Sequence, residues 1–134
     1  MTSSIAEQGA VADPTAVNRA THAAFVAAWA RRDLDALMAL VSDDVVYAAS
    51  VGPEPGATFR GREAVRKGFE AMLAHDDALE VRGGRVTFVG DLGYAEWAYV
   101  VSAPNGGAQV VRGIDVLEFV DGRIVRKDAF RKTA

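Results

Sequence analysis

Apolar residues recur at helical spacing in the first half of the chain and at strand spacing in the second, with the switch near His75-Asp76-Asp77. Val17, Ala20, Ala24, Phe25, Ala28 and Trp29 repeat every three or four positions, which predicts a helix over 15–32 with one apolar stripe. Pro14 suits its first turn and Asp13 its cap. Asp33 caps a second, short helix over 34–40, and Val65, Phe69, Met72 and Leu73 mark the apolar side of a third over 61–74. Between them, Ser42-Asp43-Asp44 reads as a turn and 45–49 as a strand with Val45, Tyr47 and Ala49 on one face. The stretch SVGPEPGAT, 50–58, reads as a Pro/Gly loop placed to rim a pocket.

After the switch, a strand over 79–89 is interrupted by Gly83-Gly84, where a bulge is expected. Gly90-Asp91 turns the chain into a strand over 92–101, with Trp97, Tyr99 and Val101 on one face and Tyr94, Glu96 and Ala98 on the other. Pro104-Asn105-Gly106-Gly107 then leads into QVVRGIDVLEFVDGRIVRKDAFRK, which reads as two long strands joined at Asp121-Gly122. Helices followed by a run of antiparallel strands give an α+β class. The expected shape is a curved antiparallel sheet forming a cone closed by three N-terminal helices, a cystatin-like α+β barrel with a pocket inside.

The final hairpin carries the candidate chemistry. Gly113, Asp115, Leu117 and Phe119 share one face of its first strand, so a carboxylate sits among large apolar residues. Burying a carboxylate alone is costly, so it must be paired, hydrogen-bonded or kept for reaction. A two-residue turn sets Val120 against Arg123, Phe119 against Ile124, Leu117 against Arg126 and Asp115 against Asp128. Two acids then meet on the buried face with Ile124 and Phe130, and their repulsion makes one hold a proton near neutrality. A three-residue loop would instead place Lys127 against Asp115 as an ion pair.

Composition narrows the rest. The 134 residues fit one domain, read as a disordered leader over 1–13 and a single domain over 14–134. A net charge of −3 leaves no electrostatic footprint for nucleic acid or an anionic membrane, and no apolar run approaches the roughly 18 residues of a span. The start, MTSSIAEQGAVADPT, has no basic region followed by an apolar block, so cytoplasm is the expected compartment. Without cysteine, disulfides and thiol chemistry are excluded. His22 and His75 lie too far apart for ligand spacing, and Gly83-Gly84 and Gly106-Gly107 fit no phosphate loop, so neither metal nor cofactor is expected.

Asp115, Asp128 and Tyr47 are the expected catalytic residues, Tyr47 as a hydrogen-bond donor to a ligand oxygen. His22, Phe25, Trp29, Phe69, Met72, Trp97, Tyr99 and Leu117 are expected to bind the ligand, as aromatic and apolar walls with one histidine within reach. On the hairpin's other face, Ile114, Val116 and Val120 stand among Arg112 and Glu118, an apolar outer surface that predicts a homodimer.

Several stretches carry a family resemblance. FVAAWARRDLDALMALVSDDV looks like the first two helices, VGPEP followed by GREAV like the loop and third helix, and GIDVLEF followed by DGRIV like the closing hairpin, of the nuclear transport factor two-like superfamily. The chain resembles its SnoaL-like and ketosteroid isomerase branch over almost everything after the leader. The resemblance places Asp115 on the isomerase's buried oxyanion-hole acid. It places Ala49 on the general base, Phe25 on the oxyanion-hole tyrosine and Phe69 on a supporting tyrosine, so steroid isomerisation is not expected. Asp128, in KDAF, resembles the last-strand aspartate of limonene epoxide hydrolase-type members, whose Arg-x-Asp triplet is replaced here by Ala95-Glu96-Trp97. The expected function is a cofactor-free acid/base enzyme, of isomerase, cyclase, dehydratase or epoxide hydrolase type, acting on a small apolar oxygenated ligand. The alternative is a non-catalytic binding or dimeric assembly module on the same fold.

Overall fold

Helices precede strands in the computed structural model, which describes residues 13–53, 56–76, 78 and 80–132. The expected leader, 1–13, lies outside the described residues except for Asp13. That residue caps helix α1 (Pro14–Ala30), its carboxylate accepting from the Thr15 N–H at 3.0 Å. The buried stripe of α1 runs through Asn18, His22, Phe25, Ala28 and Trp29, whereas Val17, Ala20 and Ala24 of the expected stripe are exposed. The stripe is rotated because polar side chains fasten this end of the helix to two hairpin turns. Asn18 donates from Nδ2 to the Gly90 carbonyl at 2.9 Å and to Asp91 at 2.8 Å, Thr15 Oγ1 accepts from the Gly90 N–H at 2.9 Å, and Thr21 donates to the Gly122 carbonyl at 2.6 Å.

Asp33 caps α2 (Leu34–Met38), accepting from the Ala36 N–H at 3.1 Å. Strand β1 (Val41–Ala48) begins earlier than the sequence pattern suggests and contains the expected turn 42–44. Asp43 and Asp44 are exposed there, and pairing with the neighbouring strand is irregular between Val41 and Val46, so the acids remain solvated. A three-residue strand β2 (Thr58–Arg60) follows the Pro/Gly loop and pairs antiparallel with β1, and α3 (Arg62–Asp76) buries Val65, Phe69, Met72 and Leu73 as expected. No helix among the described residues is long and apolar enough to cross a membrane.

The remaining strands are β3 (Glu80–Val89), β4 (Leu92–Ser102), β5 (Ala108–Val120) and β6 (Arg123–Arg131). The register of β3 shifts between Gly83 and Val86, the bulge that the glycine pair predicts. Among the described residues six strands form one curved, unclosed sheet in the order β2-β1-β6-β5-β4-β3. Neighbours are antiparallel except β1 and β6, which run parallel. The helices cover the concave face, and the core between the layers is largely aromatic: Phe69 lies edge-on to Phe25 and to Trp29 at 5.6 Å each and 4.9 Å from Tyr47.

The final hairpin keeps the expected turn and departs from the expected register. Asp121 and Gly122 take φ of 51° and 76°, Val120 faces Arg123, and Phe119 faces Ile124. Glu118 then faces Arg126, which leaves Val125 as an extra residue on β6. One inserted residue reverses which side every later side chain points to. Asp115 therefore faces Ala129 rather than Asp128, and Leu117 faces Lys127 rather than Arg126. Lys127 and Ala129 are buried on the inner side, while Phe130, expected inside, is 52% exposed. The bulge avoids setting two carboxylates together on a buried face and brings a cation beside Asp115 instead. The result is the ion pair of the three-residue loop, reached from the two-residue turn.

Candidate active site

A cavity of about 290 Å³ opens on the concave face between α1 and strands β3, β4, β5 and β6. Phe25, Trp29, Trp97 and Tyr99 give it aromatic walls, and His22, Asp115 and Lys127 are the polar groups at its centre. Asp115 is 8% exposed, and each of its oxygens has a donor. Trp97 Nε1 donates to Oδ1 at 2.9 Å, and Lys127 Nζ donates to Oδ2 at 2.8 Å. The Lys127 ammonium also lies over the rings of Trp29, Tyr47 and Phe25, at 5.3, 5.4 and 5.9 Å from their centroids. These π faces favour the cation, and the charge-assisted hydrogen bond compensates the desolvated carboxylate.

Trp97 reaches Asp115 because Gly113 stands directly opposite it on β5. A Cβ at Gly113 would lie 2.2 Å from Trp97 Cζ2, so the indole lies over backbone that any other residue would cover. The same ring stacks on Tyr99 at 4.9 Å and carries the Arg131 guanidinium at 5.4 Å on β6. Arg131 donates to Asp76 at 2.9 Å and to Ser50 at 3.1 Å, forming a second buried ion pair at the foot of the cavity.

His22 lies one turn before Phe25 on α1, its ring 5.4 Å from that of Phe88. Burial holds its imidazole below the ordinary 6.5, only partly opposed by the nearby Asp115 carboxylate. The ring is therefore neutral at physiological pH, with one nitrogen able to accept a proton. Tyr47 is fully buried, its ring between Phe59 at 5.9 Å and Phe69 at 4.9 Å. Burial, and then the Asp115 charge, push its hydroxyl well above the usual phenol range, so it stays protonated. Burial does the same to Tyr99, with Asp76 as the next cause.

The structure thus brings together Asp115, His22, Phe25, Trp29, Trp97 and Tyr99 from the expected set. Tyr47 and Met72 line only a narrow space beneath the cavity, and Phe69 and Leu117 are wholly buried in the core. Asp128 does not join Asp115: it lies on the outer side, paired with Arg126 at 3.0 Å. Arg131 and Asp76 are the groups that sequence reasoning missed, and Lys127 entered it only as the partner of Asp115 in the alternative, three-residue loop. Their trace in the sequence is a small residue, Ala129, alternating with two long cations on the last strand while Asp115 and Asp76 lack counter-charges. Chemically, the centre offers a carboxylate to take a proton, an ammonium to bond an oxygen bearing charge, and a neutral imidazole. Among the described residues no three His, Asp or Glu side chains cluster as metal ligands.

Solved structures share this architecture. An NTF2-like protein of unknown function from Mesorhizobium loti matches with a TM-score of 0.76 at 23% identity, over 90% of this chain and 95% of that one. A putative ketosteroid isomerase from Kribbella flavida matches at 0.73 and 19% identity, over 91% and 82%. TerC, co-crystallised with polyporic acid, matches at 0.71 and 17% identity, over 87% and 92%. Likenesses at this level of identity show the fold. No match was found among curated proteins. The family model of the SnoaL-like domain matches residues 22–127, from the histidine in the cavity wall to the lysine beside Asp115, and the chain belongs to that family.

Proposed function

We propose that this chain is a cofactor-independent acid/base enzyme acting on a small, largely apolar, oxygenated ligand. The observation that carries the reading is the Asp115–Lys127 pair, buried at 2.8 Å in the wall of an aromatic cavity beside a neutral histidine. Asp115 takes a proton from a carbon next to a ligand carbonyl, and Lys127 bonds the oxygen on which charge gathers. The protonated Asp115 then returns the proton to the ligand, with His22 as a neutral acceptor in the cavity wall. Asp128 has no part in this scheme, because it points away from the cavity. The neighbours support an organic ligand by analogy: one is described as a putative ketosteroid isomerase and another was co-crystallised with polyporic acid. A volume of about 290 Å³ lies at the small end of ligand pockets, which suits a body of about one or two rings.

Deuterium exchange tests the chemistry. Cyclic enones and aryl ketones are incubated with the protein in D2O, and loss of the α-proton signal is followed by NMR. Asp115→Asn keeps an acceptor for Trp97 and is expected to slow exchange at least about a hundredfold. The double variant Asp115→Asn/Lys127→Met strands no charge, so it separates lost chemistry from lost folding. Exchange at the wild-type rate in both variants refutes the scheme. A second reading, a non-catalytic binding module, is favoured by the fact that both Asp115 oxygens already have donors. Ligands that bind the wild type and exchange no proton would establish it.

The same reading includes a cytoplasmic homodimer. Tyr94, Val110, Val120 and Phe130 are exposed by 40%, 52%, 53% and 52%, and an apolar surface of this kind calls for a partner. Sedimentation at micromolar concentration is expected to give twice the chain mass, and a monomer there removes the dimer.

A further inference from the structure

The cavity is one of three spaces that follow each other along the concave face. The first, about 290 Å³, reaches down to Trp97, Tyr99 and Lys127. The next, about 10 Å³, is lined by those three together with Asp76, Ala129 and Arg131. The last, about 440 Å³, is lined by Asp76 and Arg131 and continues to Val101, Gln109 and Val111 near the opposite ends of the strands. Alternate residues lead from one space to the next: Trp97, Tyr99 and Val101 on β4, and Lys127, Ala129 and Arg131 on β6. The middle space is about the roughly 10–15 Å³ that a single water needs. Two solvent-facing spaces are thus separated by one narrow waist, bordered on the cavity side by Tyr99 with Trp97 stacked on it at 4.9 Å, and on the other side by the Asp76–Arg131 pair.

We propose that Tyr99 sets the length of ligand this protein accepts, by closing the cavity side of the waist that separates the catalytic cavity from the space at Gln109 and Val111. The proposal rests on the ligand-binding reading above and adds its limit. Trp97 and Tyr99 on β4 both line the cavity and the waist. Trp97 is tied down twice, by its bond to Asp115 and by Arg131 over its face, and Tyr99 is the next inward residue, between Trp97 and Val101 of the lower space. A ligand with its oxygen at Asp115 and Lys127 extends toward Tyr99 and stops there. With that ring removed, its tail extends past Trp97 and Ala129 toward the Asp76–Arg131 pair that borders the lower space.

A series of 4-alkylphenols from ethyl to decyl, titrated by calorimetry, reads this directly. A buried methylene adds about fourfold to affinity. In the wild type, affinity is expected to rise over the first carbons and then level off. In Tyr99→Ala the rise is expected to continue by about fourfold per added carbon over several more carbons. The readout is the increment per methylene, so a changed affinity for the shortest member does not affect it. Tyr99→Leu, which removes the ring and keeps an apolar side chain, repeats the measurement should the alanine variant unfold, and is expected to move the plateau by a smaller amount. Plateaus at the same chain length in wild type and variants overturn the waist while leaving the ligand cavity in place. No binding of any member to the wild type overturns the cavity reading, and the waist with it.

Discussion

Lys127→Met is expected to destabilise the fold by about 3–5 kcal/mol, because it leaves a buried carboxylate without its counter-charge. Asp115 is 8% exposed and keeps only the Trp97 N–H, with Phe25, Trp29, Trp97 and Tyr99 in the cavity wall beside it. A domain of this size is held by about 5–15 kcal/mol in total, so this single change removes a large share of it. Denaturant unfolding is expected to show a lower midpoint with an unchanged slope. The companion variant is as informative. Asp115→Asn/Lys127→Met keeps an acceptor for the indole, removes both charges and fills the lysine's channel with a similar apolar chain. Its stability is expected to return to within about 1 kcal/mol of the wild type, since a buried pair often contributes little net against well-packed neutral groups. A double variant as unstable as Lys127→Met alone would mean that the pair is not the reason for the loss.

Gly113→Ala is expected to cost at least about 3 kcal/mol, the upper part of the range for overfilled sites. The added methyl would stand 2.2 Å from Trp97 Cζ2 and 2.3 Å from the Phe130 carbonyl oxygen. A side chain can swing away, but the carbonyl belongs to the β5–β6 ladder, where Gly113 is paired with Arg131. Relief requires the indole to leave, and with it goes the hydrogen bond to Asp115. The indole N–H resonance of Trp97 is expected to lose its hydrogen-bonded shift in the variant, alongside the lower unfolding midpoint. Gly83 is the control: it faces the same tryptophan from β3, yet a Cβ there meets nothing within 4 Å. Gly83→Ala is expected to change stability by no more than about 0.5 kcal/mol.

These two sites also mark where the sequence stopped being readable. Helix starts at Asp13 and Asp33 were legible because a cap acts on the next three residues, and the β3 bulge was legible because two glycines announce it. The bulge at Val125 has no such residue. It is a long-range compromise between a two-residue turn and the need of Asp115 for a cation, and no local window contains both. The parallel contact of β1 with β6 is likewise set by sheet order, which alternation along one strand does not encode. Asn18 escaped the apolar stripe of α1 because its partners lie 72 and 73 residues away. In the site, the faces carrying Phe25, Trp29, Trp97 and Asp115 followed from periodicity. Lys127 did not, because its side of the sheet depends on one residue inserted between it and the turn.

The first turns of α1 are fastened to two hairpins by Thr15, Asn18 and Thr21, and the residues that meet the cavity, His22, Phe25, Val26 and Trp29, come later on the same helix. Anchorage and cavity wall are thus divided between successive stretches of one rod. Exchanging the wall residues is expected to reshape the hollow while the roof above it stays where the anchoring residues hold it.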